Sequence, residues 1–420
     1  LAPTADASRG VLRNEGFRDA DTVARLLLDE RLQQASKGKL LWIDEAGLLG
    51  ARTMAHVFDL AEKLDCRVLL TGDRKQHGSV EHGSVLQLLE EEAGIRPAEV
   101  KEIKRQSGEY KAAVKALADG KVSEGFSRLD RLGWIHVIPD GERYKQLAAD
   151  YVDSVSAGKT ALVVSPTHAE GERITAEIRA SLKSKGLLGQ DERAFRVLQN
   201  ANLTEAERGD RLNYLHGDVL QFHQNAVGHA RGERVSVNGA PLPLDQADRF
   251  SVFHARTLVL APGDVVRITH NGFTADGVHR LNNGVLYRVQ SFDLQGNIVL
   301  DNGWTVAKDF GHLAHGFCVT SHSSQGKTVD RVIVGQSSQS LPASSAEQFY
   351  VSCSRGRESV RVYCDDKEAL REAVGQSEER VTATDLFTEL RRRQLVAEHD
   401  RDMDHIASHQ RGREELIHER

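Results

Sequence analysis

Apolar and polar positions along the chain fall into two textures. In the first, Leu40-Leu41-Trp42-Ile43 is a short apolar run that stops at Asp44. Behind it Met54, Val57, Phe58, Ala61 and Leu64 recur at the three-and-four spacing of an amphipathic helix. Arg67-Val68-Leu69-Leu70 repeats the pattern, ends at Thr71-Gly72-Asp73, and precedes a helical stretch carrying Val85, Leu86, Leu88 and Leu89. The alternation returns at 161–180 and again from 317 to 363. Uniformly apolar strands separated by helices predict an α/β fold with parallel sheets and sites at the carboxyl ends of the strands. In the second texture, from about 211 to 312, helical periodicity fades and turn signals crowd in: Asn238-Gly239, Pro262-Gly263-Asp264, Asn271-Gly272, Asn283-Gly284 and Asn302-Gly303. Short alternating segments between them predict a small antiparallel β-barrel inserted into an α/β domain. The stretch 366–420 has no proline and dense mixed charge, including Arg391-Arg392-Arg393, and reads as a solvated helical tail.

Composition narrows the classes. With 420 residues there is room for two or three domains. No window approaches eighteen uninterrupted apolar residues, which excludes a helical membrane span. The chain opens on Leu1 and shows no basic-then-apolar leader. Cys66, Cys318, Cys353 and Cys364 are far apart and form no C-x-x-C pair, so neither a disulfide framework nor a zinc ribbon is expected, and a reducing cytoplasm is the default expectation. Fifty-five basic against 61 acidic residues give a net charge of −6, which argues against coating duplex DNA by bulk attraction. A local channel gripping a single strand remains open.

The chemistry concentrates at strand ends. Asp44 and Glu45 close an apolar strand, where one carboxylate can hold Mg²⁺ and the other can orient and deprotonate a water attacking a γ-phosphate. The next strand delivers Gly72-Asp73-Arg74-Lys75-Gln76; the glycine permits close backbone approach, and the Gln76 amide can sense a γ-phosphate. A phosphate site shared by two domains needs cations from across the cleft, for which Arg105 and Arg355 are candidates. Arg355 follows Gln348-Phe349-Tyr350-Val351, which reads as a buried strand. Val163-Val164-Ser165-Pro166-Thr167 leads into a helix where Thr167 and Glu170 fit a capping box, leaving backbone N–H groups for a phosphate or simply a well-capped helix. Ser321, His322 and Gln325 cluster with Gly326-Lys327-Thr328 after another strand, suited to a phosphodiester or a nucleotide.

Taken in order, these segments resemble superfamily 1 DNA helicases of the RecD-like branch. L-A-P-T-A-D-A-S, beginning at Leu1, is similar to motif Ia, I-D-E-A-G to the Walker B box, and G-D-R-K-Q to motif III. K-R-Q resembles the arginine-bearing motif IV, V-V-S-P-T-H-A-E-G the start of the second RecA-like domain, T-S-H-S-S-Q-G-K-T motif V and Y-V-S-C-S-R-G-R motif VI. Within the branch, the sequence most resembles the helicase part of conjugative relaxases of the TraI/TrwC kind. The resemblance implies tandem RecA-like (P-loop NTPase) domains, the first incomplete: 1–105, then 106–210 and 313–365 around the inserted barrel at 211–312, then the tail. It implies an ATP- and Mg²⁺-dependent motor moving 5′ to 3′ on single-stranded DNA. Mg²⁺ would sit at Asp44, the base would be Glu45, the sensor Gln76, and Arg105 and Arg355 would stabilise charge on the γ-phosphoryl. Gly72, Asp73, Gly326 and Lys327 would be nucleotide-binding, and Thr4, Thr167, His168, Ser321, His322 and Gln325 would contact DNA. Implied partners are an upstream relaxase domain and the conjugation machinery, with no membrane.

One motif of the family has no match. The Walker A loop G-x-x-x-x-G-K-[ST] belongs before motif Ia; Gly158-Lys159-Thr160 would need glycine at Asp153, and Gly326-Lys327-Thr328 at Ser321. The expectation is a carboxyl-terminal piece of a longer protein, or a truncated product, that hydrolyses ATP barely or not at all. The rival expectation is a helicase remnant that binds single-stranded DNA without turnover.

Overall fold

The computed structural model describes residues 1–79, 83–100 and 102–378. Most of the predicted charged tail, including Arg391-Arg392-Arg393, lies outside the described residues. Within them, Lys367–Ala373 is a helix capped by Asp366, whose carboxylate accepts from the Ala369 N–H.

Leu40–Ile43 and Arg67–Leu70 pair in parallel, Leu40 opposite Arg67, with helix Ala51–Lys63 as the crossover. Leu41 and Ile43 are buried, and Met54 and Val57 pack on Ile43. Phe58 lies at the exposed margin of the same helix. Leu1 runs alongside the first strand: its amino group donates to the Trp42 carbonyl and its own carbonyl accepts from Asp44.

A second sheet is wholly parallel, in the order Cys318–Val319, Ala161–Val164, Val329–Gly335, Gly356–Cys364, Ile135–Val137. Helices cover both faces, which is why its strands are apolar throughout. Phe126, Leu129 and Phe349 pack on one side, and Leu147, Ile174 and Ile178 on the other. Between the strands Ala161–Val164 and Cys318–Val319 the chain forms two larger antiparallel sheets and a two-stranded one, Gly272–Phe273 with Arg280–Leu281. The first is built on Arg193–Asn200, Phe250–Leu260, Val219–Phe222 and Arg234–Ser236. The second orders Thr305–Val306, Ile298–Leu300, Leu286–Phe292, Val265–Ile268 and Leu313–His315. Phe195, Leu258 and Leu260 of the first share a core with Val266, Ile268, Val289 and Ile298 of the second. Antiparallel pairing starts at Arg193, ahead of the turn-rich stretch, because Phe195 and Val197 point inward while Arg196 points out.

One expected strand is a helix. Gln348-Phe349-Tyr350-Val351 belongs to helix Ala346–Cys353, whose first turn is capped by the Ser345 hydroxyl accepting from Gln348 N. Every residue from Gln348 to Cys353 is buried, so the segment shows no one-sided periodicity and reads as a core strand. Arg355 therefore enters a strand, Gly356–Cys364, from its amino end.

Among the described residues no helix is long and apolar enough to cross a membrane.

Candidate functional site

The apolar strand Leu40–Ile43 ends in two carboxylates held very differently. Asp44 accepts a hydrogen bond of 2.7 Å from the Thr71 hydroxyl, at the end of the neighbouring strand, and Thr71 in turn accepts from the Trp42 indole at 2.9 Å. Glu45 is left-handed, with φ 53°, where a non-glycine residue is strained by about 1–2 kcal/mol. Burial raises its pKa, the Asp44 charge adds to the rise, and Arg355 opposes it. A carboxylate so raised moves toward the range a general base needs.

Gly72 is closely packed: a Cβ there would meet Leu86 Cδ1 at 3.1 Å and the Gly47 and Ala46 nitrogens at 3.2 and 3.3 Å. The glycine lets the loop after the second strand lie directly on the chain leaving Glu45. Asp73 then organises that loop, accepting from Lys75 N at 2.9 Å, Gln76 Nε2 at 3.2 Å and the Tyr350 hydroxyl at 2.9 Å.

The second sheet supplies the opposite wall. Gln325 Nε2 donates to Glu45 Oε2 at 3.4 Å and to Gln76 Oε1 at 3.2 Å, and Arg355 Nη2 reaches the same Gln76 oxygen at 3.4 Å. Burial lowers the Arg355 pKa to about 10, with Arg105 nearby adding to the effect. It stays charged at neutral pH. Arg105 donates to the Ser354 carbonyl at 2.7 Å, and Gln106 to the carbonyls of Ser354 and Gly356. These residues bound a cleft of about 500 Å³ lined by Asp44, Glu45, Gln76, Arg105, Tyr350 and Arg355, with Gly326 at its edge. Among the described residues no group of three or more His, Cys, Asp or Glu could hold an ion by itself. Mg²⁺ at a phosphate site uses one or two carboxylates completed by phosphate and water, and the hard oxygens of Asp44 fit that.

The sequence-predicted residues thus divide. Asp44, Glu45, Gln76, Arg105, Arg355 and Gly326 line one cleft. Gln325, expected on the DNA path, donates to Glu45 at the same cleft. Lys327 is tied to Asp6 at 2.8 Å. Ser321 and His322 contact His77 rather than Thr167 or His168: His77 Nε2 lies 2.8 Å from Ser321 Oγ, and the two imidazoles stack with centroids 3.6 Å apart. Thr4 Oγ1 accepts from Ala7 N, and Thr167 Oγ1 from Glu170 N, with His168 opening the helix. Only half of the expected capping box forms. The buried Glu170 carboxylate turns away to Ser165, Tyr144 and the Ser337 N–H. Sequence reasoning missed Thr71, His77, Gln106 and Tyr350. Each is next to or inside a quoted motif, and that adjacency is the signal that could have found them.

Residues 1–140 match the family model for an AAA domain, and residues 201–364 match that for the viral superfamily 1 RNA helicase core domain. The chain is 23% identical over 459 residues to the multifunctional conjugation protein TraI of Escherichia coli (strain K12), covering 92% of this chain and 26% of that protein. It is 24% identical over 367 residues to the conjugal transfer protein TraA of Rhizobium radiobacter, covering 85% and 27%. The chain therefore spans about a quarter of the length of these curated relatives. Among solved structures it is similar to the Pif1 helicase from Bacteroides in complex with ADP-AlF3 and ssDNA, with a TM-score of 0.47 and 16% identity over 86% of this chain and 81% of that one. Pif1 helicase from Candida albicans gives a TM-score of 0.44 and 16% identity over 93% and 84%.

Proposed function

We propose that this chain, a superfamily 1 helicase region of the TraI type, binds ATP between Glu45 and Arg355 and uses its hydrolysis to move along single-stranded DNA. The observation that carries the reading is the convergence of Glu45, Gln76, Gln325 and Arg355 from two sheets on one cleft. Glu45 takes the proton of the attacking water, Gln76 orients that water, and Arg355 and Arg105 face the charge that develops on the transferred phosphoryl. Mg²⁺ held by Asp44 would neutralise charge on the β- and γ-phosphate oxygens. Thr4, Thr167, His168, Ser321 and His322 are the proposed nucleic-acid contacts, and Gly72, Asp73, Gly326 and Lys327 support the nucleotide. We read the two antiparallel sheets as the small barrel that this branch inserts, the direction of travel as 5′ to 3′, and a relaxase domain as the partner that would supply the strand in the cytoplasm.

A second reading has its own observation. The 420 residues contain no G-x-x-x-x-G-K-[ST] loop, and without a phosphate cradle turnover by these residues alone is expected to be slow. The chain would then hold single-stranded DNA without working on it. Both readings are tested by measuring ATP hydrolysis with Mg²⁺, with and without saturating oligo-dT, beside an anisotropy titration of the same oligonucleotide. DNA-stimulated turnover favours the motor, binding without turnover favours the holding module, and absence of binding removes both.

A further inference from the structure

The hairpin of Gly272–Phe273 and Arg280–Leu281 is fixed at its base and bare on its outer face. Leu281 is fully buried, and Gly272 opposite it lies against Phe310, whose Cε2 would stand 2.4 Å from a Cβ at that position. Ala275 N donates to the Thr305 carbonyl at 2.8 Å, and His279 stacks on Trp304 with centroids 4.6 Å apart. Alternation along the strands turns Phe273 and Arg280, directly opposite each other, to the other side. Phe273 is 58% exposed, the most exposed phenylalanine among the described residues. Phe17, the next, is edge-on to Trp42, whereas no aromatic ring pairs with Phe273 among the described residues. The Arg280 guanidinium is exposed too, with neither an ion pair nor a hydrogen bond among those residues.

The surface beside the hairpin is cationic. Asn282, directly after its second strand, accepts from Arg9 Nη1 at 3.1 Å, and a Cβ on Gly284 would come within 4.0 Å of Asp6 Cβ. Arg9, Arg13 and Arg25 converge on the one buried carboxylate of Asp21, at 2.6, 3.4 and 2.6 Å, and Arg25 also reaches Asp29 at 3.3 Å. With Arg280 there are four guanidiniums for these two carboxylates, and the Arg13 and Arg25 side chains are 39% and 50% exposed. Asp276, in the hairpin turn, is taken up by the Thr274 hydroxyl and the Val278 N–H. The Arg280 pKa is lowered by partial burial first and by Arg9 next, with Arg25 adding and Asp21 opposing. The same cluster is bonded to the segment that holds Thr4: Ala2 N donates to the Asp21 carbonyl at 3.2 Å, and Val23 N to the Ala2 carbonyl at 3.0 Å. An exposed ring beside surplus cations is how a single strand is held, its bases stacked on aromatics and its phosphates met by arginine. Along its length a duplex offers such a ring no unpaired base.

We propose that Phe273 and Arg280 form a contact for single-stranded DNA on the inserted sheets, the ring stacking on an unpaired base and the guanidinium, with Arg13 and Arg25, meeting the flanking phosphates. This rests on the single-strand reading above and adds a contact outside the parallel sheets. The test is anisotropy of labelled oligo-dT, an abasic strand of the same length and a blunt duplex, against wild type, Phe273→Ala, Phe273→Trp and Arg280→Gln over a series of salt concentrations. Phe273→Ala is expected to weaken oligo-dT binding about tenfold at unchanged salt slope, and to leave the abasic strand and the duplex as in wild type. Phe273→Trp keeps the affinity for oligo-dT. Arg280→Gln weakens oligo-dT and the abasic strand alike, and reduces the log–log salt slope by about 0.7, the contribution of one phosphate on a single strand. Thermal midpoints should match wild type, because both side chains face solvent. If one variant folds poorly the other decides, and a lowered midpoint in both contradicts their exposure and overturns the contact. Wild-type affinity and slope in Phe273→Ala and Arg280→Gln overturn the contact while the single-strand reading stands. An equal loss on the abasic strand in Phe273→Ala overturns the stacking, and a loss confined to the duplex overturns the choice of a single strand. A wild-type chain that binds no oligo-dT overturns the functional reading and this contact together.

Discussion

At the scale of single residues, Glu45 is under two constraints that stability alone does not favour, a left-handed backbone and a buried carboxylate beside Asp44. Its folded pKa is raised, so its contribution to stability is fully present below the ordinary carboxylate range and is lost as pH rises through the folded value. Glu45→Gln should therefore raise the thermal midpoint at neutral pH, where the carboxylate is ionised at a cost. The same variant should lower DNA-stimulated hydrolysis by about 10²-fold or more while leaving single-strand affinity unchanged. A rise in stability without loss of turnover would remove Glu45 as the base. Arg355 tests differently, because its guanidinium is fixed by the Val351 carbonyl and the Ser354 hydroxyl. A lysine cannot reproduce that fork, so Arg355→Lys is expected to behave like Arg355→Ala, with single-turnover hydrolysis reduced about 10³-fold in both.

At the scale of elements, helix Ala346–Cys353 carries Tyr350 to Asp73 and hands the chain to Arg355. Ser345→Ala removes its cap and should cost about 1 kcal/mol, read as a shift in the urea midpoint. Gly356 follows Arg355, and a Cβ there would meet Ser359 O at 2.5 Å and the Tyr110 hydroxyl at 2.7 Å. Gly356→Ala should accordingly destabilise more than the lost cap, because backbone and a buried ring must both move. This region also marks where the sequence was legible and where it was not. Leu40–Ile43 and Arg67–Leu70 announce themselves by apolar runs stopped by polar residues, and their parallel pairing places Asp44 as expected. The helix Ala346–Cys353 does not, since burial on all sides erases the period that identifies a helix. Likewise Gln325 could be assigned to a strand end from its hydroxyl-rich neighbours, but its contact with Glu45 spans 280 residues and depends on how two sheets meet. Local patterns carry elements and their ends; they do not carry the distance between bodies.

At the scale of the whole molecule, three imidazoles are held neutral by burial. His77, stacked on His322 across the two parallel sheets, has its pKa lowered to about 3, chiefly by desolvation, with His322 and Arg355 adding to it. His312, between the antiparallel sheets, is lowered to about 3 by burial, His270 and Arg234. His315 is lowered to about 4 by burial against the pull of Asp264. In the unfolded chain all three bind protons below about pH 6.5, whereas in the folded chain they do not until about pH 3 to 4. Their stabilisation is complete above the unfolded value and is lost progressively as pH falls toward the folded ones. The urea midpoint should fall steadily from pH 7.5 to 5, and His312→Gln should flatten that dependence. A midpoint that does not move over this range would show that the imidazoles are not sequestered in solution.

The strand Ala161–Val164 lies between Cys318–Val319 and Val329–Gly335, both of which follow the antiparallel sheets in the chain. On a ribosome adding about 5–20 residues each second, that strand emerges and then waits on the order of ten seconds before either neighbour exists. Throughout that interval Ala-Leu-Val-Val presents two unpaired edges, while the intervening sheets can pair among themselves. The second parallel sheet is thus the last part of this fold to close, and its middle strand is the segment most in need of protection while the chain is being made.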